Sequence, residues 1–138
     1  MGDILGFGHV AVNVKDLEKT RWFYEELLGF PMSEPIPMEG GFSITYATVP
    51  GGGQVELFRH VGPIPEHTQR DECTVGLRHL AFIVAGLPSL REKLVAAGVR
   101  ITLDLTDIPA LGVKVLLFED PNGVTLEFAE RTCNQDLL

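Results

Sequence analysis

Hydrophobic and polar residues alternate in two stretches of the chain, and each stretch runs on into a helical pattern. The segments GHVAVNVKDLEKTRWFYEELLGF (8–30) and RHLAFIVAGLPSLREKLVAAGV (78–99) both start near a histidine, alternate as a strand does, and then become amphipathic. Each helical pattern stops at a glycine, Gly29 or Gly98, as is typical of a helix C-terminus. The pattern therefore predicts the same strand and helix unit twice.

A second pair of segments repeats in the same way. GGGQVELF (51–58) and PNGVTLEF (121–128) each begin with turn residues and continue as a strand that carries a glutamate. The spacing agrees, since 47 residues lead from His9 to Glu56 and 48 from His79 to Glu127. FSITYATV (42–49) and VKVLLFED (113–120) supply further strands. We predict one α+β domain over residues 1–138, made of two repeats (about 6–60 and 77–131) and a connector over 61–76.

Strand alternation assigns the side chains to two faces of each sheet, because successive residues point to opposite sides. The bulky valines, leucines and phenylalanines are expected to pack under the helices. The apolar stripes predicted for these helices are Leu17, Phe23, Leu27 and Leu28 in the first repeat and Leu90, Leu94 and Val95 in the second. His9, Glu56, His79 and Glu127 fall on the opposite face. Asn13, Phe58 and His60 share that face and are candidates for contact with a substrate.

Two histidines and two glutamates on one uncovered face predict a metal site. A carboxylate withdrawn from water is costly unless it is paired, and a divalent cation would offset that cost. Two imidazoles and two carboxylates suit Zn, Ni, Co, Mn or Fe in the divalent state. Taken singly, a strand histidine is more often a structural or surface residue than a ligand, and a strand glutamate usually faces water. Their matched spacing favours ligands of a shared ion, with a glutamate as general base.

The amino-acid composition limits the kinds of molecule that the chain is expected to bind and the compartment in which it is expected to act. The chain has a formal charge of -8 and only 11 Lys and Arg residues, without a cluster, so a nucleic-acid partner is excluded. No apolar run reaches the roughly 18 residues of a membrane span, and no export signal is recognised at the N-terminus. Cys73 and Cys133 form no metal or disulfide motif, which favours reduced thiols. We expect a cytoplasmic protein that acts on a small molecule, with His67 exposed in the connector.

The segments GHVAVNVKDLEKTRWFYEELLGF, LRHLAFIV and FEDPNGVTLEF resemble the signature segments of the vicinal oxygen chelate superfamily, and the similarity spans about residues 6 to 131. This superfamily includes glyoxalase I, methylmalonyl-CoA epimerase, extradiol dioxygenases and fosfomycin resistance enzymes. The resemblance implies two βαβββ modules that form a curled mixed sheet around a metal cavity. It also implies a homodimer, and it places the metal ligands on His9, Glu56, His79 and Glu127.

Among these relatives, the metal set is most similar to that of glyoxalase I, in which the counterpart of Glu127 is the main base. The resemblance therefore implies a lyase or isomerase of glyoxalase type that moves a proton between adjacent carbons, with Glu56 as a ligand that returns the proton. Asn13 and His60 replace the glutathione-contacting Arg and Asn of that enzyme. Alternatives are an epimerase of methylmalonyl-CoA type, an extradiol-type dioxygenase, and a non-catalytic binding or resistance module. Loops at Pro35–Phe42 and Leu105–Val113 are expected to form the pocket walls.

Overall fold

A computed structural model describes residues 1–66 and 73–132 of the chain, which divides into two compact units, Met1–Glu66 and His67–Leu138. His67 and Cys133 lie outside the described residues. The first unit consists of strand β1 (His9–Asn13), helix α1 (Leu17–Arg21), a π-helical segment (Trp22–Leu27), and strands β2 (Ile36–Pro37), β3 (Ser43–Thr48) and β4 (Gln54–Arg59). Its sheet has the order β1-β4-β3-β2, with β1 parallel to β4 and the other pairs antiparallel.

The second unit repeats this architecture. It consists of β5 (Leu80–Ile83), α2 (Leu87–Ala96), β6 (Ile101–Ile108), a 3-10 turn (Pro109–Leu111), β7 (Val113–Glu119) and β8 (Thr125–Arg131). The sheet order is β5-β8-β7-β6, and β5 is again parallel to β8. The predicted fold class, α+β with two βαβββ modules and mixed sheets, is confirmed. No helix in the described part of the chain is long and apolar enough to cross a membrane.

The two helices begin differently and end alike. The side chain of Asp16 caps α1 by accepting a hydrogen bond from the amide of Lys19. Helix α2 begins at Gly86, which has no capping side chain, and the carboxylate of Glu130 on β8 accepts hydrogen bonds from the amides of Gly86 and Leu87. Gly29 and Gly98 follow the two helical segments at φ 79° and 76°, as predicted, because only glycine adopts this conformation without strain.

The core of each unit lies on the helix side of its sheet. Val12 and Val14 of the first unit and Phe82 of the second are buried, whereas Ala11 and Ala81 on the opposite face are exposed. The face assignment made from strand alternation is therefore confirmed for both first strands. The largest fully buried side chains are Tyr24, Phe23, Phe118, Leu57, Leu87, Leu94, Leu116 and Leu126.

The structure corrects two details of the helices. The first helical pattern winds as an α-helix only over Leu17–Arg21 and then as a π-helix, in which the amide of Leu28 donates to the carbonyl of Phe23. In the second helix, Val95 is 49% exposed and Leu87 is fully buried, so Leu87 takes the core position that was predicted for Val95.

The segments predicted as pocket-wall loops are also partly strand. Ile36–Pro37 is the short strand β2, which pairs with β3. Strand β6 extends to Ile108, so Leu105–Ile108 belongs to a sheet edge and not to a loop. The sequence ITLDLTDI (101–108) alternates as a strand should, and the loop prediction for Leu105–Ile108 is wrong.

Candidate metal centre

The first unit brings His9 and Glu56 into direct contact. Nδ1 of His9 lies 2.5 Å from Oε2 of Glu56. This contact follows from the parallel pairing of β1 with β4, which sets Ala11 beside Glu56 and places His9 two residues away on the same face. The Glu56 side chain is only 7% exposed, whereas that of His9 is 49% exposed. The imidazole therefore partners a carboxylate that is almost removed from water.

The second unit reproduces the contact with its own residues. Nε2 of His79 lies 2.6 Å from Oε2 of Glu127, and their side chains are 23% and 16% exposed. The register is the same as in the first unit, because Ala81 pairs with Glu127 and His79 precedes Ala81 by two residues. The repeat in the sequence thus gives a repeat in strand register, although His9 contacts its glutamate through Nδ1 and His79 through Nε2. Each unit presents one imidazole nitrogen and one carboxylate on the face opposite its helix.

The third strand of each unit places a different neighbour beside the glutamate. Tyr46 on β3 is the register partner of Glu56, and Leu117 on β7 is the register partner of Glu127. Directly opposed residues of antiparallel strands share a face, so a phenol accompanies Glu56 and an aliphatic side chain accompanies Glu127. Tyr46 was not recognised from the sequence. Alternation in FSITYATV assigns its face, but only the pairing of β3 with β4 places it at Glu56.

The three predicted substrate contacts lie together in the first unit. Asn13 pairs in register with Phe58, and Nε2 of His60 lies 2.7 Å from Oδ1 of Asn13. Phe58 and His60 also stack, with ring centroids 6.5 Å apart. Asn13 at the end of β1, Phe58 on β4 and His60 just after β4 therefore form one cluster, on the face that carries Glu56.

The donor chemistry of the two His–Glu pairs fits a divalent cation. Two ligand atoms at about 2.1 Å from one ion, with the angles of tetrahedral or octahedral coordination, are about 3.0–3.4 Å apart. The observed nitrogen–oxygen distances of 2.5 and 2.6 Å need to lengthen by less than about 1 Å to accept an ion. Among the described residues there is no group of three or more His, Cys, Asp or Glu side chains that could hold a metal. Each unit thus supplies two donor atoms, one imidazole nitrogen and one carboxylate oxygen.

Comparison with known proteins places the chain in a family. The sequence profile of the Glyoxalase/Bleomycin resistance protein/Dioxygenase superfamily matches residues 6–128. The chain belongs to this superfamily. The resemblance drawn from the sequence motifs is thereby confirmed.

Similar proteins align with nearly the whole length of this chain. The uncharacterized protein YwkD of Bacillus subtilis is 35% identical over 124 residues, which cover 89% of this chain and 94% of YwkD. The mitochondrial methylmalonyl-CoA epimerase of Bos taurus is 31% identical over 128 residues, covering 88% of this chain and 72% of the epimerase. The crystal structure of a superfamily domain from Frankia sp. is 27% identical, covers 96% of both chains and superimposes with a TM-score of 0.77.

Proposed function

We propose that this protein is a divalent-metal-dependent lyase or isomerase of glyoxalase type, which removes a proton from a carbon next to a carbonyl group. The observation that carries the proposal is the pair of His–Glu contacts, His9 with Glu56 and His79 with Glu127, built on the same strand register in both units. One such contact is a common structural feature. Two contacts on matched strands offer four donor atoms of the types that divalent metals bind.

The four donor residues would hold the ion, and the two glutamates would also handle the proton. A divalent cation, when bound, polarises a carbonyl oxygen and makes the adjacent C–H more acidic. Glu127 would take the proton as general base, and Glu56 would hold its ligand position and, when protonated, deliver a proton to the substrate. The neighbouring residues support different roles for the two glutamates. Tyr46, beside Glu56, can donate a hydrogen bond to a carboxylate, whereas Leu117, beside Glu127, cannot.

An epimerase of methylmalonyl-CoA type is the second candidate. It is favoured by the 31% identity with the bovine epimerase. Epimerisation uses the same elementary step, since a proton leaves a carbon next to a thioester carbonyl and returns to the other side of that carbon. Glu127 and Glu56 would then act as the two acid–base groups. The two candidates differ in the substrate and not in the residues required.

Deuterium incorporation tests the shared step. The protein, loaded in turn with Zn, Ni, Co or Mn, is incubated in D₂O with methylmalonyl-CoA and with methylglyoxal plus several thiols. Deuterium at C2 with inversion of configuration identifies an epimerase, and conversion of a hemithioacetal to a hydroxyacyl thioester identifies a glyoxalase. Absence of exchange and product with every substrate contradicts the proposal.

Two further measurements identify the alternative functions. Oxygen consumption with a catechol on the iron-loaded protein would favour a dioxygenase, and metal-independent ligand binding without turnover would favour a binding module.

We further propose that the protein is a homodimer, in which the His9–Glu56 pair and the His79–Glu127 pair together hold the metal ion. Mixing the variants His9→Ala and His79→Ala tests whether a site takes its two halves from different chains. Random exchange would restore about a quarter of the activity, because half of the dimers are mixed and one of their two sites is intact. Sites built within one chain would regain none. A monomer by light scattering would contradict the dimer.

A further inference from the structure

Strand β4 and the residue that follows it carry a row of side chains that leads away from the candidate metal centre. Glu56 and Phe58 alternate along β4, and His60 continues the same alternation directly after its last residue, Arg59. The backbone positions of Glu56 and His60 are about 13 Å apart, since each residue of a strand advances about 3.3 Å. A molecule that reacts at Glu56 and lies along this row would bring its far end to His60.

An aromatic cluster, made of Phe42, Phe58 and His60, lies at this far end. The rings of Phe42 and Phe58 are stacked with centroids 5.7 Å apart and planes inclined by 11°. His60 stacks on both, at 6.1 Å from Phe42 and 6.5 Å from Phe58, with inclinations of 26° and 30°. Three near-parallel rings in contact present flat surfaces, against which a planar group gains stacking energy.

The imidazole of His60 is held in one orientation by Asn13. Nε2 of His60 lies 2.7 Å from Oδ1 of Asn13, which is hydrogen-bond distance. This contact joins β1 to the end of β4, so the cluster is built on two strands of the sheet.

A cavity of about 460 Å³ adjoins the cluster, and Arg59 contributes its positive charge to the lining. Phe42 and His60 line the same cavity, together with apolar side chains such as Met38 and Val61. Arg59 is exposed, and within the described residues no carboxylate pairs with it. In a chain of net charge -8, a cavity that combines a guanidinium, an imidazole and aromatic rings favours an anionic ligand.

We propose that this cavity binds a planar organic anion, whose flat part stacks on the aromatic cluster and whose carboxylate or phosphate binds Arg59. The assignment of this ligand as the far arm of the substrate rests on the proposed function. It predicts a substrate in which the reacting carbonyl and a terminal anion are separated by a distance on the order of 10 Å.

Binding of 2-naphthoate to the metal-free, full-length protein tests the site by calorimetry. Cyclohexanecarboxylate serves as a non-planar anion and 2-naphthol as a planar probe without the carboxylate, and both should bind at least about threefold more weakly. Arg59→Gln should weaken binding of 2-naphthoate by about 10-fold or more, through loss of a charge-assisted hydrogen bond. Phe58→Leu should weaken it by roughly 3- to 10-fold, because the Phe58 ring stacks with Phe42 and His60, which line the cavity.

Matched controls come from outside the cavity. Arg100→Gln removes another exposed arginine and Trp22→Leu another exposed aromatic ring, and both should leave binding unchanged. The site is refuted if 2-naphthoate does not bind, or if Arg59→Gln binds it as tightly as Arg100→Gln does. Arg59 is exposed, so this comparison holds even if Phe58→Leu fails to fold. Because the titration uses metal-free protein, its failure leaves the proposed function intact, and failure of the deuterium assay leaves this site intact.

Discussion

The imidazole of His9 contacts the carboxylate of Glu56 at 2.5 Å, although the two residues are 47 positions apart in the chain. The contact exists because the first and last strands of the unit run side by side in parallel. The second unit forms a corresponding contact between Nε2 of His79 and Glu127 at 2.6 Å. Two donor pairs of the same residue types, each on the face opposite its helix, are the basis of the proposed metal chemistry.

Replacement of Glu127 by Gln should abolish turnover while substrate binding is largely kept. The amide cannot accept the substrate proton, so kcat should fall by about 10²- to 10⁴-fold at saturating metal. The control Glu26→Gln changes an exposed helix residue and should have no effect. If kcat is unchanged and only KM rises, Glu127 contributes to binding and is not the base.

Replacement of Thr45 by Val should stabilise the protein. Thr45 is fully buried, and its hydroxyl has no hydrogen-bond partner in the described part of the chain. Removal of an unsatisfied hydroxyl should raise the free energy of unfolding by about 1 kcal/mol, measured by urea denaturation. Thr20 is a matched control, because it is equally buried but its hydroxyl donates to the carbonyl of Asp16. Thr20→Val should destabilise by about 1 kcal/mol, and equal effects of the two variants would contradict this account.

Glu130 on β8 should stabilise α2 by capping the N-terminus of that helix. Its carboxylate accepts from the amides of Gly86 at 2.6 Å and Leu87 at 3.2 Å. Loss of such a cap in Glu130→Ala should lower the free energy of unfolding by about 1 kcal/mol. Glu92→Ala, on the exposed side of the same helix, should change it by less than about 0.5 kcal/mol. A Glu130→Ala variant as stable as Glu92→Ala would show that the cap is dispensable.

The pair of Arg91 and Asp104 should make stability depend on pH in the acid range. Two hydrogen bonds of 2.6 and 2.7 Å join the guanidinium to the carboxylate, and with the amide of Leu105 they lower the pKa of Asp104 from 3.8 to about 2. A lowered pKa in the folded chain gives stability that is complete above 3.8 and lost as the pH falls toward 2.

Asp104→Asn should therefore be less stable than the unchanged protein at neutral pH, and the difference should shrink on acidification through this range. The control Asp107→Asn removes an exposed charge from the same strand and corrects for net charge. Thermal melting of the three proteins between pH 6 and pH 2 measures the effect. A difference that persists at the lowest pH would contradict the ion pair as its cause.

Much of the fold could be predicted from local pattern. Alternation placed His9 opposite Val10 and Val12, and the structure confirms those faces. The glycine ends of both helices were also correct, because φ near +75° is a local property that sequence reports directly. The repeat made the order of elements in the second unit predictable from the first.

The missed features depend on contacts between distant segments. The cap of α2 comes from Glu130, 44 residues after Gly86, so no local motif reveals it. Tyr46 reaches Glu56 only through the register of β3 with β4, which alternation alone does not fix. Burial of Leu87 in place of Val95 reflects where α2 meets its sheet, and the helical period alone allows both.

Metal content of the purified protein tests the central claim most directly. The unchanged chain, reconstituted with a divalent metal and separated from free ions, should contain about one ion per chain by elemental analysis. His9→Ala and His79→Ala should each lose most of it, while His60→Ala, which changes a histidine outside both pairs, should keep it. Equal metal content in all four proteins, or none in the unchanged chain, would contradict a site built from both His–Glu pairs.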